Sequence, residues 1–349
     1  MQYFPLIVSF LSVVLFIVNF RKPAIRYGLV DIPKGRKQHE GHIPLIGGLA
    51  IFFGYGLGIL AVGQSFFDYR AMFVGMCLLL VFGLLDDLKE ISAKRKLLLQ
   101  LFVASILVFW GGYQLADLGN MLGFGVFELG VFAIPFTVIC VVGFINAINM
   151  VDGVDGLAGG VTLGEILLLV LVSSLADMGN AVQMQILAAA TVGFLVFNFP
   201  VRKGQNASIF LGDSGSMMLG FAVAAFAIEV ALKGHVPPIV IASILVMPVF
   251  DAAILMVRRI MKGLSPFEPD REHLHHVLER AGFDKKTSVY ILVFWSVMPA
   301  VIAIGLWQNG FPEWLITLLL FVFLGIHIYV VFHAWKFARF VHALLLWRW

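Results

Sequence analysis

Asn146, Asn149, Asp152 and Asp155 recur every three residues in the segment NAINMVDGVDGLAGG, residues 146–160. Three-residue spacing puts side chains on one helical face, and Gly153 and Gly156 are expected to interrupt that helix. The glycines permit close approach of a ligand to the backbone. Such an amide-and-carboxylate set can bind a metal and a nucleobase together; the alternative is a polar turn between two apolar runs. In RKGQNASIFLGDSGS, residues 202–216, Asp213 lies between Gly212 and Ser214 just before another apolar run. Gly-rich turns leave N–H groups free for phosphate oxygens, and a nearby Asp can hold the metal those oxygens share. Neither Walker A nor a dinucleotide GxGxxG occurs there, so ATP is not implied. Asp86 and Asp87 close an apolar run in GLLDDLKEISAKRK, residues 83–96. Adjacent carboxylates repel each other, and a hard divalent ion or a bound cationic group would relieve the cost. Lys94, Arg95 and Lys96 follow within reach of a bound phosphate.

Two further segments supply cations and hydrogen-bond donors. Residues 31–48, DIPKGRKQHEGHIPLIGG, set Arg36, Lys37, His39 and His42 beside Gly47–Gly48. Such a cluster can hold a phosphate through charge-assisted hydrogen bonds. A topology signal that meets anionic lipid explains the Lys and Arg, but not the His, Pro and Gly pattern. Residues 258–286 contain Asp270, Arg271, His273, His275 and His276. His273 and His276 share a helical face, whereas His275 points elsewhere. Zinc would require three converging ligands. Histidines that donate to phosphate or orient a substrate fit better, and a solvated amphipathic helix is the plain alternative.

The elements that must position these groups are membrane spans. Of the 349 residues, 60% are apolar and 13% charged, against roughly 25% charged in soluble domains. The mean hydropathy is +0.97. A span needs about 20 largely apolar residues. Eleven stretches qualify: 3–20, 44–62, 71–85, 97–111, 130–148, 160–177, 182–199, 216–232, 237–257, 288–307 and 314–333. The two shortest are expected to extend into polar flanks. The first 20 residues lack a basic start and a cleavage signal, and read as a span. Alternate loops, with the tail 334–349, hold 22 of the 24 Lys and Arg, leaving only Arg70 and Lys233 opposite. That asymmetry places the five polar segments in the cytoplasm, the N-terminus outside and the C-terminus inside.

The expected fold is thus an all-α polytopic membrane protein of about eleven transmembrane helices. One domain covers 1–349, with 258–287 as a cytoplasmic histidine-containing loop within it. Residues 112–129 alternate around a Gly-containing centre, which suits a small outer β-hairpin or an irregular loop. The tail from Trp335 suits an interfacial helix or the end of the last span. Cys77 and Cys140 lie in apolar runs and imply neither a disulfide nor a Cys-based metal site. Glu165, Glu229 and Asp251 fall within apolar spans, where a carboxylate is costly. Asp251 is expected to face the protein interior near the cytoplasmic side, and Glu229 lies toward the outer end.

Five segments resemble, in order, those of the bacterial polyprenyl-phosphate N-acetylhexosamine-1-phosphate transferases, most of all the undecaprenyl-phosphate N-acetylglucosaminyl branch. They are GLVDIPKGRKQHEGHIPLIGG (28–48), GLLDDL (83–88), NAINMVDGVDGLAGG (146–160), FLGDSGS (210–216) and SPFEPDREHLHHVLERAGF (265–283). The resemblance covers nearly the whole chain. It implies a multi-pass protein of the bacterial inner membrane, with its active site facing the cytoplasm. UDP-N-acetylglucosamine and undecaprenyl phosphate would give lipid-linked diphosphate N-acetylglucosamine and UMP, the first membrane step of cell-surface polysaccharide synthesis. Asp213, with the amide oxygen of Asn149, would bind Mg²⁺, for which Mn²⁺ can substitute. Asp155, Gly153 and Asn198 would help place uridine. Lys37 and Phe210 are assigned to the same substrate-binding set. Asp86 and Asp87 would lie near the lipid phosphate, one of them orienting it or accepting its last proton, with Asp152 in the same catalytic group. Arg271, His273, His275 and His276 would hold the diphosphate and sugar, with Lys94 or Lys96 sharing that work.

The resemblance also sets alternatives. Direct attack by the lipid phosphate is favoured over a covalent aspartyl route. The muramoyl-pentapeptide branch would carry PTMGG where this chain has PLIGG, and HHH in place of HLHH. Other UDP-N-acetylhexosamine donors stay open. An anionic-solute transporter would place its site near mid-membrane on broken helices, not in inner loops. Membrane lipid is a partner and nucleic acid is not; a homodimer is compatible with a sequence that leaves the oligomeric state open.

Overall fold

The protein is described by a computed structural model covering residues 3–31, 42–63, 67–89, 91–178, 181–199, 207–263 and 274–333, with Lys336 and Arg339. Of His275, His276 and Arg280 the backbone alone is described. The tail's other residues lie outside that set, as do Lys37, Arg271 and His273.

Helices dominate. They are α1 (Phe4–Arg26), α2 (Gly47–Val62), α3 (Arg70–Lys89), α4 (Ala93–Phe109), α5 (Ala133–Val151) and α6 (Leu157–Leu175). After them come α7 (Val182–Asn198), α8 (Gly212–Lys233), α9 (Pro238–Met261), the short α10 (Leu274–Arg280), α11 (Lys285–Gln308) and α12 (Glu313–Phe332). Among the described residues, eight helical segments are long and apolar enough to cross a membrane, and α2 and α7 are shorter apolar helices. Each stretch expected to span holds one helix. The two shortest stretches lengthen into polar flanks: α3 runs on through Asp86 and Asp87 to Lys89, and α4 begins at Ala93, before Lys94–Lys96.

α8 is the centre of the bundle. It is buried along nearly its whole length and packs against α2, α3, α5, α6 and α9. A helix that is apolar all round needs neighbours on every side, and the five supply them. Its N-terminal turn meets α2 and α3 backbone to backbone. A Cβ on Gly83 of α3 would overlap Ser214 Cα and lie 2.5 Å from its nitrogen. A Cβ on Gly48 of α2 would lie 2.5 Å from Gly215 Cα. No larger residue permits either approach.

A two-stranded antiparallel sheet closes the base of the first polar segment. β1 (Val30–Asp31) pairs with β2 (Ile43–Pro44), Val30 opposite Pro44 and Asp31 opposite Ile43. The segment 112–129 folds into antiparallel arms joined by a single bridge, Asp117 to Glu128. Hydrogen bonds from Leu118 N to Phe127 O (2.9 Å) and from Phe127 N to Gly119 O (2.9 Å) link them. The arms stop short of a regular ladder. Asn120 instead turns the chain, its side chain accepting from Gly125 N and its N–H donating to Glu313 Oε2 at the start of α12. Asp251 is buried and faces the interior, 3.6 Å from His327 Nε2. Trp295 Nε1 donates to His327 Nδ1 at 3.2 Å. Glu229, at the opposite end of α8 from Asp213, is held by Lys233 (2.7 Å) and the Tyr69 hydroxyl (3.2 Å).

Gly83→Ala is expected to lower thermal stability in detergent, because overpacking a backbone crossing costs about 1–3 kcal/mol. Gly56→Ala, which has open space around it, is the matched control. Equal unfolding midpoints for the two variants would exclude the backbone contact between α3 and α8.

Candidate active site

One end of the bundle gathers the polar groups. α3 and α5 arrive there by their C-termini, α4, α6 and α8 by their N-termini. Asn146 and Asn149 lie within the last turns of α5. Asp152 and Asp155 fall in the turn that follows, because the helix stops at Val151 and Gly156 takes a left-handed conformation (φ +82°) before α6. The glycines thus break the helix as the sequence suggests, and the four residues do not share one face.

Asp213, in the first turn of α8, is the hub. Its Oδ1 accepts from Asn149 Nδ2 at 3.1 Å and its Oδ2 from Lys96 Nζ at 2.6 Å. Asn149 Nδ2 also donates to Ser216 Oγ at 2.8 Å. Lys96 pairs as well with Asp86, a carboxylate almost wholly buried. Asp86 Oδ1 accepts from Ile91 N at 2.5 Å, which turns the chain between α3 and α4. Asp87 points elsewhere: its Oδ1 accepts from Asp213 N at 2.9 Å and its Oδ2 from Ser214 N at 3.4 Å. Successive residues on a helix diverge by about 100°, so the two adjacent acids serve different partners. Asp152 stands close enough to Asp213, Asp87 and Asp155 to feel their charge. Burial first, and then those three carboxylates, push its carboxyl well above the usual carboxylate range.

A frame stands beside this cluster. Asn198, at the end of α7, accepts from Gly156 N at 2.8 Å and donates to Ile209 O at 2.9 Å. Asp155 Oδ2 accepts from Ala207 N at 3.1 Å. Phe210 donates its N–H to Pro44 O at 2.8 Å and accepts from Gly47 N at 3.0 Å, while Gly48 N donates to Leu211 O at 3.1 Å. The extended residues before α8 are thereby tied to α2, α6 and α7 together. Gly153 is exposed between Asp152 and Asp155, and Lys94 is exposed in the first turn of α4.

The structure therefore brings together Asp86, Asp87, Lys96, Asn149, Asp152 and Asp213, with Asp155, Asn198 and Phe210 in the adjoining frame. Lys37, Arg271 and His273 lie outside the described residues, as do the side chains of His275 and His276. Their segment re-enters as α10, which packs against α11 and buries Leu274, Val277 and Leu278 in an apolar cluster that also holds Val151, Leu157 and Val289. Sequence reasoning passed over Gln100 and Ser216. Gln100 is buried one turn beyond Lys96, and its Oε1 accepts from Asn146 Nδ2 at 2.6 Å. A lone Gln four residues after a site lysine, inside an apolar run, was the available signal.

Among the described residues no three His, Cys, Asp or Glu side chains converge as a closed metal site. The donor set nonetheless suits a hard cation that also takes oxygens from phosphate. Several carboxylates crowd one ammonium, and Lys96 already bridges two of them as a positive charge would. Asn149 turns its amide nitrogen, not its oxygen, to Asp213, so ligation by its oxygen requires the amide to rotate.

The chain is also similar to known proteins. Residues 69–231 match the family model described as glycosyl transferase family 4. The chain is 34% identical over 343 residues to an undecaprenyl-phosphate alpha-N-acetylglucosaminyl 1-phosphate transferase of Yersinia pestis, covering 96% of this chain and 93% of that protein. It is 34% identical over 348 residues to the protein of that name from Escherichia coli K12, covering 96% and 92%. A probable undecaprenyl-phosphate N-acetylglucosaminyl 1-phosphate transferase of Bacillus subtilis is 35% identical over 326 residues, covering 90% and 87%. With likeness running over nearly the full length of each partner, the chain belongs to the undecaprenyl-phosphate N-acetylglucosaminyl 1-phosphate transferase family.

Proposed function

We propose that the protein transfers N-acetylglucosamine 1-phosphate from UDP-N-acetylglucosamine to undecaprenyl phosphate, in the inner membrane of a bacterium. The observation that carries this reading is the meeting of Asp213, Asn149, Lys96 and Asp86 from four helices at one end of an apolar bundle. There a water-soluble nucleotide and a lipid phosphate can reach the same carboxylates from two phases. An oxygen of the lipid phosphate attacks the sugar-bearing phosphorus. The bond from that phosphorus to the bridging oxygen breaks, and UMP leaves with the electron pair. A phosphate monoester is already mostly deprotonated near neutral pH, so the acceptor needs little help from a base.

Mg²⁺, when bound, would neutralise charge on the diphosphate and on the departing UMP. Asp213 would hold it, with Asn149 as a second ligand. Lys96, tethered to Asp86, is the ammonium placed to meet a phosphate oxygen. Asp155, Gly153 and Phe210 line the frame assigned to uridine. Asn198, with its amide engaged on both sides, contributes by holding that frame. Arg271, His273, His275 and His276 are assigned to the diphosphate and sugar.

The same reading gives eleven spans, the N-terminus outside and the C-terminus in the cytoplasm. It is supported by the charge asymmetry of alternate loops, one set of which carries 22 of the 24 Lys and Arg with the tail. The shortest span, α2 with 16 residues, is about 24 Å long at the usual rise, slightly under the hydrocarbon thickness. In a background with Cys77 and Cys140 replaced, a membrane-impermeant maleimide added to intact cells should label Asn120→Cys. Lys262→Cys should react only after permeabilisation. The reverse pattern would invert the orientation, and outside labelling of both would break the alternation.

Asp213→Asn is expected to cut Mg²⁺-dependent UMP release by about 10²-fold or more, as loss of a charged group that stabilises a phosphoryl transition state does, while membrane insertion is retained. Product analysis with purified protein, undecaprenyl phosphate, Mg²⁺ and a panel of UDP-sugars identifies the donor. Near-wild-type release from Asp213→Asn would remove its metal role. A lipid product from another UDP-sugar alone would replace the donor.

A further inference from the structure

Asp87 belongs to α3, yet its carboxylate serves α8. α8 has no side-chain cap of its own, since Leu211 precedes it. The first N–H groups of a helix have no partner within it. Two of them, on Asp213 and Ser214, donate to Asp87, which lies 126 and 127 residues away in sequence. Gly212 makes room for this. Its φ is +75°, and a Cβ there would stand 2.7 Å from Asp87 Oδ2. Gly83, one helical turn before Asp87, lets α3 come close enough for the reach. With its backbone held on one side, Asp213 sends its side chain to the other, toward Asn149 and Lys96.

We propose that Asp87 is a positioning residue. It caps α8 across the helix crossing and so aims the Asp213 carboxylate; it is not the group that takes the proton of the lipid phosphate. The inference rests on the reading of Asp213 as the metal-holding carboxylate. A cap that is an anion suits this place twice, because it accepts both hydrogen bonds and faces the positive end of the helix dipole. Asparagine would keep one acceptor oxygen and turn an NH₂ toward the other N–H.

The test measures Mn²⁺ binding by electron paramagnetic resonance of the detergent-purified chain, alongside UMP release as a function of Mn²⁺. Asp87→Asn is expected to weaken Mn²⁺ binding by about 10-fold, the scale of losses when a group orienting a metal ligand is removed. Turnover at saturating Mn²⁺ should recover to within about threefold of wild type, which sole loss of a proton acceptor (about 10²-fold or more) does not allow. Gly212→Ala pushes a methyl group against the same carboxylate while leaving Asp87 in place, and should weaken Mn²⁺ binding likewise. Wild-type affinity in Asp87→Asn, with turnover still abolished at saturating metal, overturns the inference. Should that variant fail to fold, folded Gly212→Ala with wild-type affinity overturns it equally. Absence of Mn²⁺ binding in the wild-type chain would instead remove the metal reading of Asp213, and the inference with it.

Discussion

Backbone-to-backbone contact at the N-terminal turn of α8 is the constraint on which the site depends. Gly83 against Ser214 and Gly48 against Gly215 leave no side chain between the helices. That closeness brings Asp87 within hydrogen-bond range of α8 and carries Asp213 to Asn149 and Lys96. It also brings the start of α2 to Phe210 and Leu211, whose carbonyls accept from Gly47 and Gly48. Ordinary apolar packing would separate the helix axes by 8–10 Å or so, with side chains filling the gap. Short carboxylates could not then reach across. A glycine crossing is therefore as much a part of the chemistry as the acids themselves.

Charge sets the second condition. Asp86, Asp87, Asp152, Asp155 and Asp213 occupy one end of the bundle, and Lys96 is the ammonium at its centre. Carboxylates brought together under partial cover resist ionisation together, and Asp152 shows the resistance. A nucleotide diphosphate and a lipid phosphate add more negative charge. A site of this composition receives anions only if cations enter with them or are already in place. Lys96 between Asp86 and Asp213 supplies one. The position at the end of the helices matters too, since the same carboxylates deeper in hydrocarbon would cost far more.

The helices that fill the apolar stretches were legible in the sequence because a long apolar run has few other uses. Even the polar extensions of α3 and α4 followed from the length a span needs. The break after Val151 was signalled by Gly153 and Gly156. The pairing of Asn149 with Asp213 was not, since 64 residues separate them and no periodicity links one helix to another; family resemblance placed them together. Asp87 capping α8 was invisible for the same reason. A glycine in an apolar run announces a close approach without naming the partner, so Gly83 and Gly48 carried no address. The arms at 112–129 alternate like strands, yet the Asn120 turn and its bond to Glu313 settle them as a pinned loop. Lone polar residues such as Gln100 and Ser216 look incidental until the helix opposite them is known.

Adjacent aspartates at the end of an apolar helix suggest a cation held between them. The structure resolves the repulsion differently. Asp86 turns to Lys96 and to Ile91 N, and Asp87 turns to the first N–H groups of α8. Each has a positive partner of its own, one a full charge and the other the end of a helix dipole. The two carboxylates are thus engaged separately, one by Lys96 and Ile91 N, the other by the start of α8. Loss of activity on replacing either aspartate therefore cannot by itself identify a base or a metal ligand. One substitution removes a partner of Lys96, and the other removes the acceptor for the first N–H groups of the helix that carries Asp213. Adjacent in sequence, the two act through different helices, and only a measurement that separates metal affinity from turnover tells their contributions apart.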